Sequence, residues 1–452
     1  MKLKLIVFCV FFVGISSAQN FKKCNTSHIM NQELNICEDY QKARENIIHE
    51  NKNWISNNQN LKRNTLQIPV VVHIIHRQTH ILGQGTNIPD YQVLDALRIL
   101  NEDYSKTNPE FPNPPRNTFI SAAANPNLEF CLATVDESGN PTTGITRTST
   151  SKTNFDPDSE GNDMKQNSTG GKNGWDPSKY LNIWICDLST TSGGGMVLGY
   201  AYLPGLPSWN AWRDGLVVDF QYFGTIGIAA PSSDGRTATH EIGHYLGLNH
   251  TFAEQGSGWG SDPCTDSQGN IQCCDNDQSN VDDTPPTDGV YWNLVNNFMP
   301  PVSSNSYNSC NDLQYGFSSD SPDMHENYMS YAANTWMFTN DQVNVMYATL
   351  NGYRSSLKNS NVSMNCSGTL SIDELLIKNT SIYPNPSKGE LNIVSEYDIN
   401  RISIKNMINQ DVLILNNPYD TKINISNLEN GMYFIYVNTE MGIVSEKILL
   451  IQ

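Results

Sequence analysis

The sequence predicts an α+β protein: a mixed twisted sheet with one chemically marked helix, an irregular stretch after that helix, and a small all-β sandwich at the end. Three observations carry this. Residues 68–76, IPVVVHIIH, are a dense β-branched run of the kind that forms a buried strand, and an amphipathic helical pattern follows them. Residues 240–252, HEIGHYLGLNHTF, crowd three of the chain's nine histidines into a helical frame. From residue 382 onward, short alternating runs of apolar and polar residues replace helical periodicity.

The elements follow in chain order. The opening MKLKLIVFCVFFVGISSAQN has two early lysines, an apolar run over 5–13 and the small residues Ser16, Ser17 and Ala18. It reads as a signal peptide, residues 1–18. The mature chain is expected to be exported and soluble, without a membrane span, and free to form disulfides. Residues 19–63 are polar and weakly helical, and end in Leu61-Lys62-Arg63. They read as a propeptide with a dibasic processing site; an ordinary N-terminal extension is the alternative. The strand over 68–76 carries His73 and His76, with His80 nearby. Positions three apart on a strand face opposite ways, so these histidines are expected to be structural. Asp90 is expected to cap a helix whose apolar face is Val93, Leu97, Leu100 and Tyr104. Residues 128–135, 180–186 and 214–219 read as further strands.

Residues 255–308 lose regular patterning and are rich in Gly, Ser, Asp, Asn and Pro. A loop this long inside a compact domain needs to be pinned. Residues 340–357 read as a closing helix with Val343, Met346, Tyr347 and Leu350 on one face. A polar linker over 358–378 then leads to the terminal unit, 379–452, with strands at 390–394, 401–405, 411–415, 432–437 and 443–448.

Composition narrows the partners. The chain carries 28 Lys and Arg against 46 Asp and Glu, a formal net charge of −18. With no basic cluster, this argues against nucleic acid and anionic membranes. Without Cys9 of the signal, nine cysteines remain, an odd set. A Cys131–Cys186 bridge is one expectation; Cys273 and Cys274 have no assigned partner.

The chemistry lies in 240–250. His240 and His244 are four apart, so a helix stacks them on one face, where they can share a metal ion. Glu241 adjoins the first and can reach a water held on that metal, the arrangement of zinc hydrolases in which the glutamate is the general base. Gly247 allows the helix to stop and turn, bringing back His250 as a third ligand. Three ligands and an open position are the catalytic zinc pattern. HExxH alone arises by chance in many helices; the full H-E-x-x-H-x-x-G-x-x-H is far more specific.

The longer pattern is the metzincin signature, and Asn327-Tyr328-Met329-Ser330-Tyr331 resembles the methionine turn that those proteins place beneath the metal. Together with VDDTP (281–285), ENYMSY, LEFCLATVDESGNPTTGITR, YLNIWICDL and LGYAYLPG, it makes residues 67–357 resemble the pappalysin-type metzincins. The resemblance implies a secreted zinc-dependent endopeptidase. Zinc would be held by His240, His244 and His250, Glu241 would serve as general base, and Met329 would be a structural floor. Tyr331 is either a donor to the oxyanion or a packing aromatic. The strand at 214–219 would form the rim of the cleft, where an edge can pair with an extended peptide. The resemblance further implies a Cys264–Cys310 disulfide, and calcium near Asp282, Asp283 and Thr284, whose hard oxygens suit that ion. It also places Asn334 where some relatives carry a pocket acid for basic residues. Lys23-Cys24-Asn25-Thr26 resembles the family's propeptide cysteine motif, with Asn25 in place of its usual glycine. Cys24 would then keep a zymogen latent; a Cys24–Cys37 disulfide is the alternative. At the C-terminus SIYPNPSKGELNI, NLENGMYFIYV and KILLIQ resemble the type A sorting domain of the type IX secretion system. That implies the secretion machinery as a partner; a generic adhesive sandwich is the bland reading. The rival functions are an inactive metzincin-scaffold adhesion or binding protein and an astacin-like or serralysin-like protease.

Overall fold

The computed structural model describes residues 21–59, 63–111, 113–190, 196–230, 233–252, 280–287, 308–332, 335–366, 380–395, 397–407, 410–418, 421–439 and 442–451. The strand Leu66–Arg77 is the spine of a seven-strand sheet. Along one side it pairs in parallel first with Leu128–Ala133 and then with Ile145–Thr150; along the other it pairs in parallel with Leu181–Cys186. Strands covered on both faces read as continuous apolar runs, and residues 68–75 are all buried. His73 sits in this interior. Its Nδ1 meets Thr146 Oγ1 at 2.8 Å and its Nε2 meets Asn182 Oδ1 at 3.0 Å, while burial pushes its pKa down to about 4. It is structural, as the sequence implied.

The helix Asp90–Ser105 lays Val93, Leu97, Leu100 and Tyr104 into the main core, against Val70, Val72, Ile183 and Leu216 of the sheet. Its cap departs from expectation. Pro89, in extended conformation, holds the N-cap position, and Asp90 is the first helical residue, paired with Arg147 at 2.7 Å. Proline there donates nothing the cap would miss, and Asp90 still faces the positive helix end.

The rim also differs. Leu216–Asp219 is an interior strand, between Leu181–Cys186 and Gly199–Ala201. The antiparallel edge is Gly199–Ala201 itself, because the chain doubles back before the helix Thr237–Tyr245.

Two N-terminal helices, Thr26–Ile36 and Glu38–Asn57, lie across the body. Tyr40 is fully buried and its hydroxyl donates to Leu203 O at 3.3 Å; Arg44 Nη1 donates to Pro204 O at 3.0 Å. Glu33 pairs with Arg213. Burying side chains such as Tyr40 and Ile29 stabilises this docking by roughly 1.5–3 kcal/mol each.

The closing helix runs Asn340–Asn351, capped by a reciprocal Thr339–Gln342 box, and breaks at Gly352 before a short turn, Ser355–Lys358. Val343, Met346, Tyr347 and Leu350 are buried as expected. The start of the expected linker is tied to the sheet. Met364–Asn365 pairs with Leu132 and Ala133, and Cys366 is bridged to Cys131. The Cys131–Cys186 expectation is therefore wrong: Cys186 is a buried thiol without a bridge. Cys131 and Cys186 stand on strands of one sheet with Leu66–Arg77 between them, whereas Met364–Asn365 lies directly beside Leu128–Ala133 and brings Cys366 to Cys131. Cys24 and Cys37 are likewise unbridged, so that alternative is not formed.

The terminal unit is a sandwich of a three-strand and a four-strand antiparallel sheet. All five expected strands are present, joined by Thr380–Tyr383 and Lys422–Asn424. Leu391, Ile393, Ile402, Ile404, Ile435, Val437 and Ile448 form its core.

Candidate active site

Every residue of the helix Thr237–Tyr245 is buried, so its polar side chains must find partners or a ligand. The helix ends as its sequence predicts. Gly247 takes φ 102°, a backbone state open to glycine, with its N–H on His244 O at 2.8 Å and the Leu248 N–H on Gly243 O at 3.0 Å. The reversal returns His250 to the helix face. His240 Nε2 lies 3.2 Å from His244 Nε2 and 3.2 Å from His250 Nε2, and the last two are 3.1 Å apart.

The outer nitrogens decide what this means. His240 Nδ1 faces Tyr328 O at 2.6 Å, and His244 Nδ1 faces Leu248 O at 2.7 Å. A carbonyl accepts only, so both Nδ1 atoms carry the proton and both Nε2 atoms point bare lone pairs at each other. Burial first, then the neighbouring rings, push both imidazoles well below their ordinary pKa, so neither is charged. Facing lone pairs repel unless a cation lies between them. A tetrahedral ion with bonds of about 2.1 Å sets its ligands roughly 3.4 Å apart, close to the separations found. The three histidines fit such an ion.

Beneath them, Met329 is fully buried. A Cβ on Gly243 would stand 2.3 Å from Met329 Sδ, so glycine in the middle of this helix is what admits the thioether. The Tyr331 ring lies 4.8 Å from that of His250, and its hydroxyl donates to Cys24 O at 3.2 Å.

Cys24 Sγ falls within one cluster with the three histidines, their ligand atoms all within 4.8 Å of one another. The thiol also donates to Glu241 Oε2 at 3.4 Å, and the Thr26 hydroxyl reaches the same oxygen at 3.1 Å. Burial, then the Glu241 charge, hold the Cys24 thiol well above its ordinary pKa. Burial pushes Glu241 up to about 8, against those two hydrogen bonds. Lys23 Nζ donates to Ala332 O at 3.1 Å. The same segment docks on the edge strand. Phe21–Lys22 pairs in parallel with Met196–Val197, Asn25 N donates to Gly199 O at 3.0 Å, and Ala201 N donates to Thr26 Oγ1 at 3.0 Å. The sequence names Thr26 only as part of the cysteine motif; its bond to Glu241 and this edge are long-range features with no local signal.

The other expected residues divide. Asp283 sits against the start of the closing helix, its Oδ2 accepting from Asp341 N at 3.0 Å, and burial pushes it up to about 6. Asp282 accompanies it, its N–H on Asp341 Oδ2 at 3.2 Å, and Thr284 is buried. No group of three metal-ligating side chains forms there among the described residues. Cys310 is disulfide-bonded, but Cys264, Cys273 and Cys274 lie outside the described residues, as does Asn334.

Two histidines on one helix, a third brought back by a glycine turn, and a buried methionine turn below them define the metzincin class. The model of the pregnancy-associated plasma protein-A peptidase family matches residues 164–351, and that of the secretion system C-terminal sorting domain matches 381–452. Promirolysin of Tannerella forsythia, solved as a mutant, is 31% identical with a TM-score of 0.55, covering 75% of this chain and 97% of its own. Mature mirolysin of the same organism, in complex with a cleaved peptide, is 32% identical with a TM-score of 0.50, covering 66% of this chain and 97% of its own. An extracellular metalloprotease of Arthroderma otae is 25% identical over 61% of this chain and 77% of its own length. Another, of Pyricularia oryzae, is 27% identical over 42% and 53%. The chain spans about half the length of most of these curated relatives. The chain belongs to the pregnancy-associated plasma protein-A family of peptidases, the pappalysins. Its sorting domain marks it for export to the cell surface or beyond. Among the described residues no helix is long and apolar enough to cross a membrane.

Proposed function

We propose that the chain is a secreted zinc-dependent endopeptidase, made as a latent precursor. The observation that carries this is the meeting of three buried histidine nitrogens, two of them bare of protons, beside the Glu241 carboxylate. His240, His244 and His250 would hold the ion. When bound, zinc supplies Lewis acidity, activating water and steadying an oxyanion. Glu241 takes the proton from the attacking water and passes it to the leaving amine. Tyr331, once released from Cys24 O, can donate to the oxyanion. Met329 and Gly243 set the floor. Mature mirolysin was solved with a cleaved peptide, which supports peptides as the substrate class here. An intact Glu241 leaves the inactive-scaffold reading without support. Casein turnover that a chelator abolishes and zinc restores is the expected result; turnover indifferent to chelation refutes this function.

Residues 1–18 are proposed as the signal, 19–63 as the propeptide, 64–357 as the peptidase and 379–452 as the sorting domain. The pro form of mirolysin covers more of this chain than the mature form, 75% against 66%, which supports a prosegment of this size. Cys24 is the proposed latch. A cation among the histidines would reverse the preference of the thiol for its proton and let the sulfur fill the open position. Calcium at Asp282, Asp283 and Thr284 is supported by a buried Asp283 Oδ1 without a hydrogen-bond partner; thermal stability unchanged by calcium removal counts against it. At Asn334 an amide offers no full charge, so preference for basic residues after the cut is proposed to be weak. A cleavage profile dominated by Arg and Lys, and unaltered in Asn334→Ala, contradicts that. The partner in export is the type IX machinery, so deleting 382–452 should leave an active peptidase inside the cell envelope.

A further inference from the structure

We propose that Asp103 is the positioning residue that sets His240 for the metal. The inference rests on the metal-centre reading above. Asp103 lies on the helix Asp90–Ser105, outside the signature, and its side chain is fully buried. Its two oxygens hold two different parts of the site. Oδ1 accepts from the Tyr328 hydroxyl at 2.6 Å, and Oδ2 accepts from Thr239 Oγ1 at 2.7 Å. Thr239 immediately precedes His240. Tyr328 presents the carbonyl that meets His240 Nδ1 at 2.6 Å. One carboxylate therefore grips both the side chain of the residue before the ligand and the residue that fixes the ligand's ring and tautomer. Tyr104, the next residue on the same helix, donates to Thr239 O at 3.1 Å, a second tie to the same point.

A buried carboxylate is a costly way to join two elements. Replacing a buried ion pair by apolar groups is often neutral or stabilising, so packing alone does not call for one here. Its charge is shared with Arg236, whose Nε is 3.5 Å away and whose Nη2 reaches Glu110 at 2.8 Å. What a carboxylate offers is two acceptors at a fixed separation. Two donors, one above the ligand and one beside it, are thereby locked in register. If the Tyr328 carbonyl drifts, His240 can move its proton to Nε2 and lose the lone pair that binds the ion. Partners of this outer layer change metal affinity by roughly 10–100-fold when removed.

The test strips the full chain of metal and measures zinc affinity by chelator competition, then records the visible spectrum with cobalt(II) in place of zinc. Tyr328→Phe cuts one arm and Thr239→Val the other, so that if either fails to fold the second still answers. Arg98→Ala serves as control: it lies on the same helix, about one-third exposed, paired with a buried Asp95 and a partly exposed Glu102, and touches neither Thr239 nor Tyr328. The expected result is zinc binding weakened about 10-fold or more in each arm variant, with a shifted cobalt band. The control should match the wild type. Arm variants that bind zinc as the wild type does, with an unaltered band, overturn the inference. A wild-type chain that binds no zinc overturns the metal centre itself.

Discussion

The Cys24 thiol donates to Glu241 Oε2 across 3.4 Å while its sulfur lies in the cluster of histidine nitrogens. A single residue of the N-terminal segment thus touches both the proposed metal position and the proposed general base. Cys24→Ala should give a precursor that cleaves peptide before processing, at least about tenfold faster than the wild-type precursor. Rates compared on unprocessed protein check this. A variant precursor as latent as wild type contradicts the latch.

Gly243 is where the helix and the methionine turn meet. Gly243→Ala places a methyl group 2.3 Å from Met329 Sδ in a fully buried contact. Overpacking of this kind costs roughly 1–3 kcal/mol. For a domain of this size that is a fall in Tm of about 2–12 °C. Calorimetry should show it, with lower activity because the helix carries the histidines. An unchanged Tm would mean Met329 swings aside freely.

His73 supplies a pH prediction. Its folded pKa is lowered to about 4, below the ordinary 6.5, because the ring is buried. Between those values the unfolded chain binds a proton that the folded chain does not, so stability rises with pH. The contribution is present above the unfolded value and lost as pH falls toward 4. Asp219, raised by burial to about 7, has the opposite sign. The His73 term is therefore read by difference: His73→Gln should be less stable at neutral pH yet show a shallower loss between pH 6.5 and 4. Equal slopes in denaturant titrations would refute it.

Much of the site was legible because its chemistry is local. His240, His244, Gly247 and His250 obey helix and turn geometry that eleven residues specify by themselves. Met329 was visible only through resemblance, since nothing local says that it will lie under Gly243. The β-branched run around Val70 and Val72 announced a buried strand, but strand order is a long-range property. Hence the stretch 214–219 reads from sequence as the rim, whereas the chain's return puts Gly199–Ala201 there. The same limit hid the Cys131–Cys366 bridge, whose partners are 235 residues apart in sequence. Asp90 illustrates a smaller failure: Pro89 and Asp90 both suit a helix start, and one-residue offsets there are decided by φ and ψ.

That bridge should appear in peptide maps made without reduction. Closing so long a loop stabilises by up to roughly 5 kcal/mol in the chain-entropy model, so Cys366→Ala should lower Tm clearly. The same maps test the proposed Cys264–Cys310 pairing. A free Cys366 contradicts the fold at the sheet edge, and a free Cys264 refutes the second bridge.

Metal content beside peptide cleavage tests the central claim most directly, measured on secreted wild type, Glu241→Ala and His244→Ala. The account predicts about one zinc per chain in wild type and in Glu241→Ala, with cleavage reduced by two orders of magnitude or more in the latter. His244→Ala should lose both zinc and activity. Full zinc in His244→Ala, or near-normal cleavage by Glu241→Ala, would contradict the account.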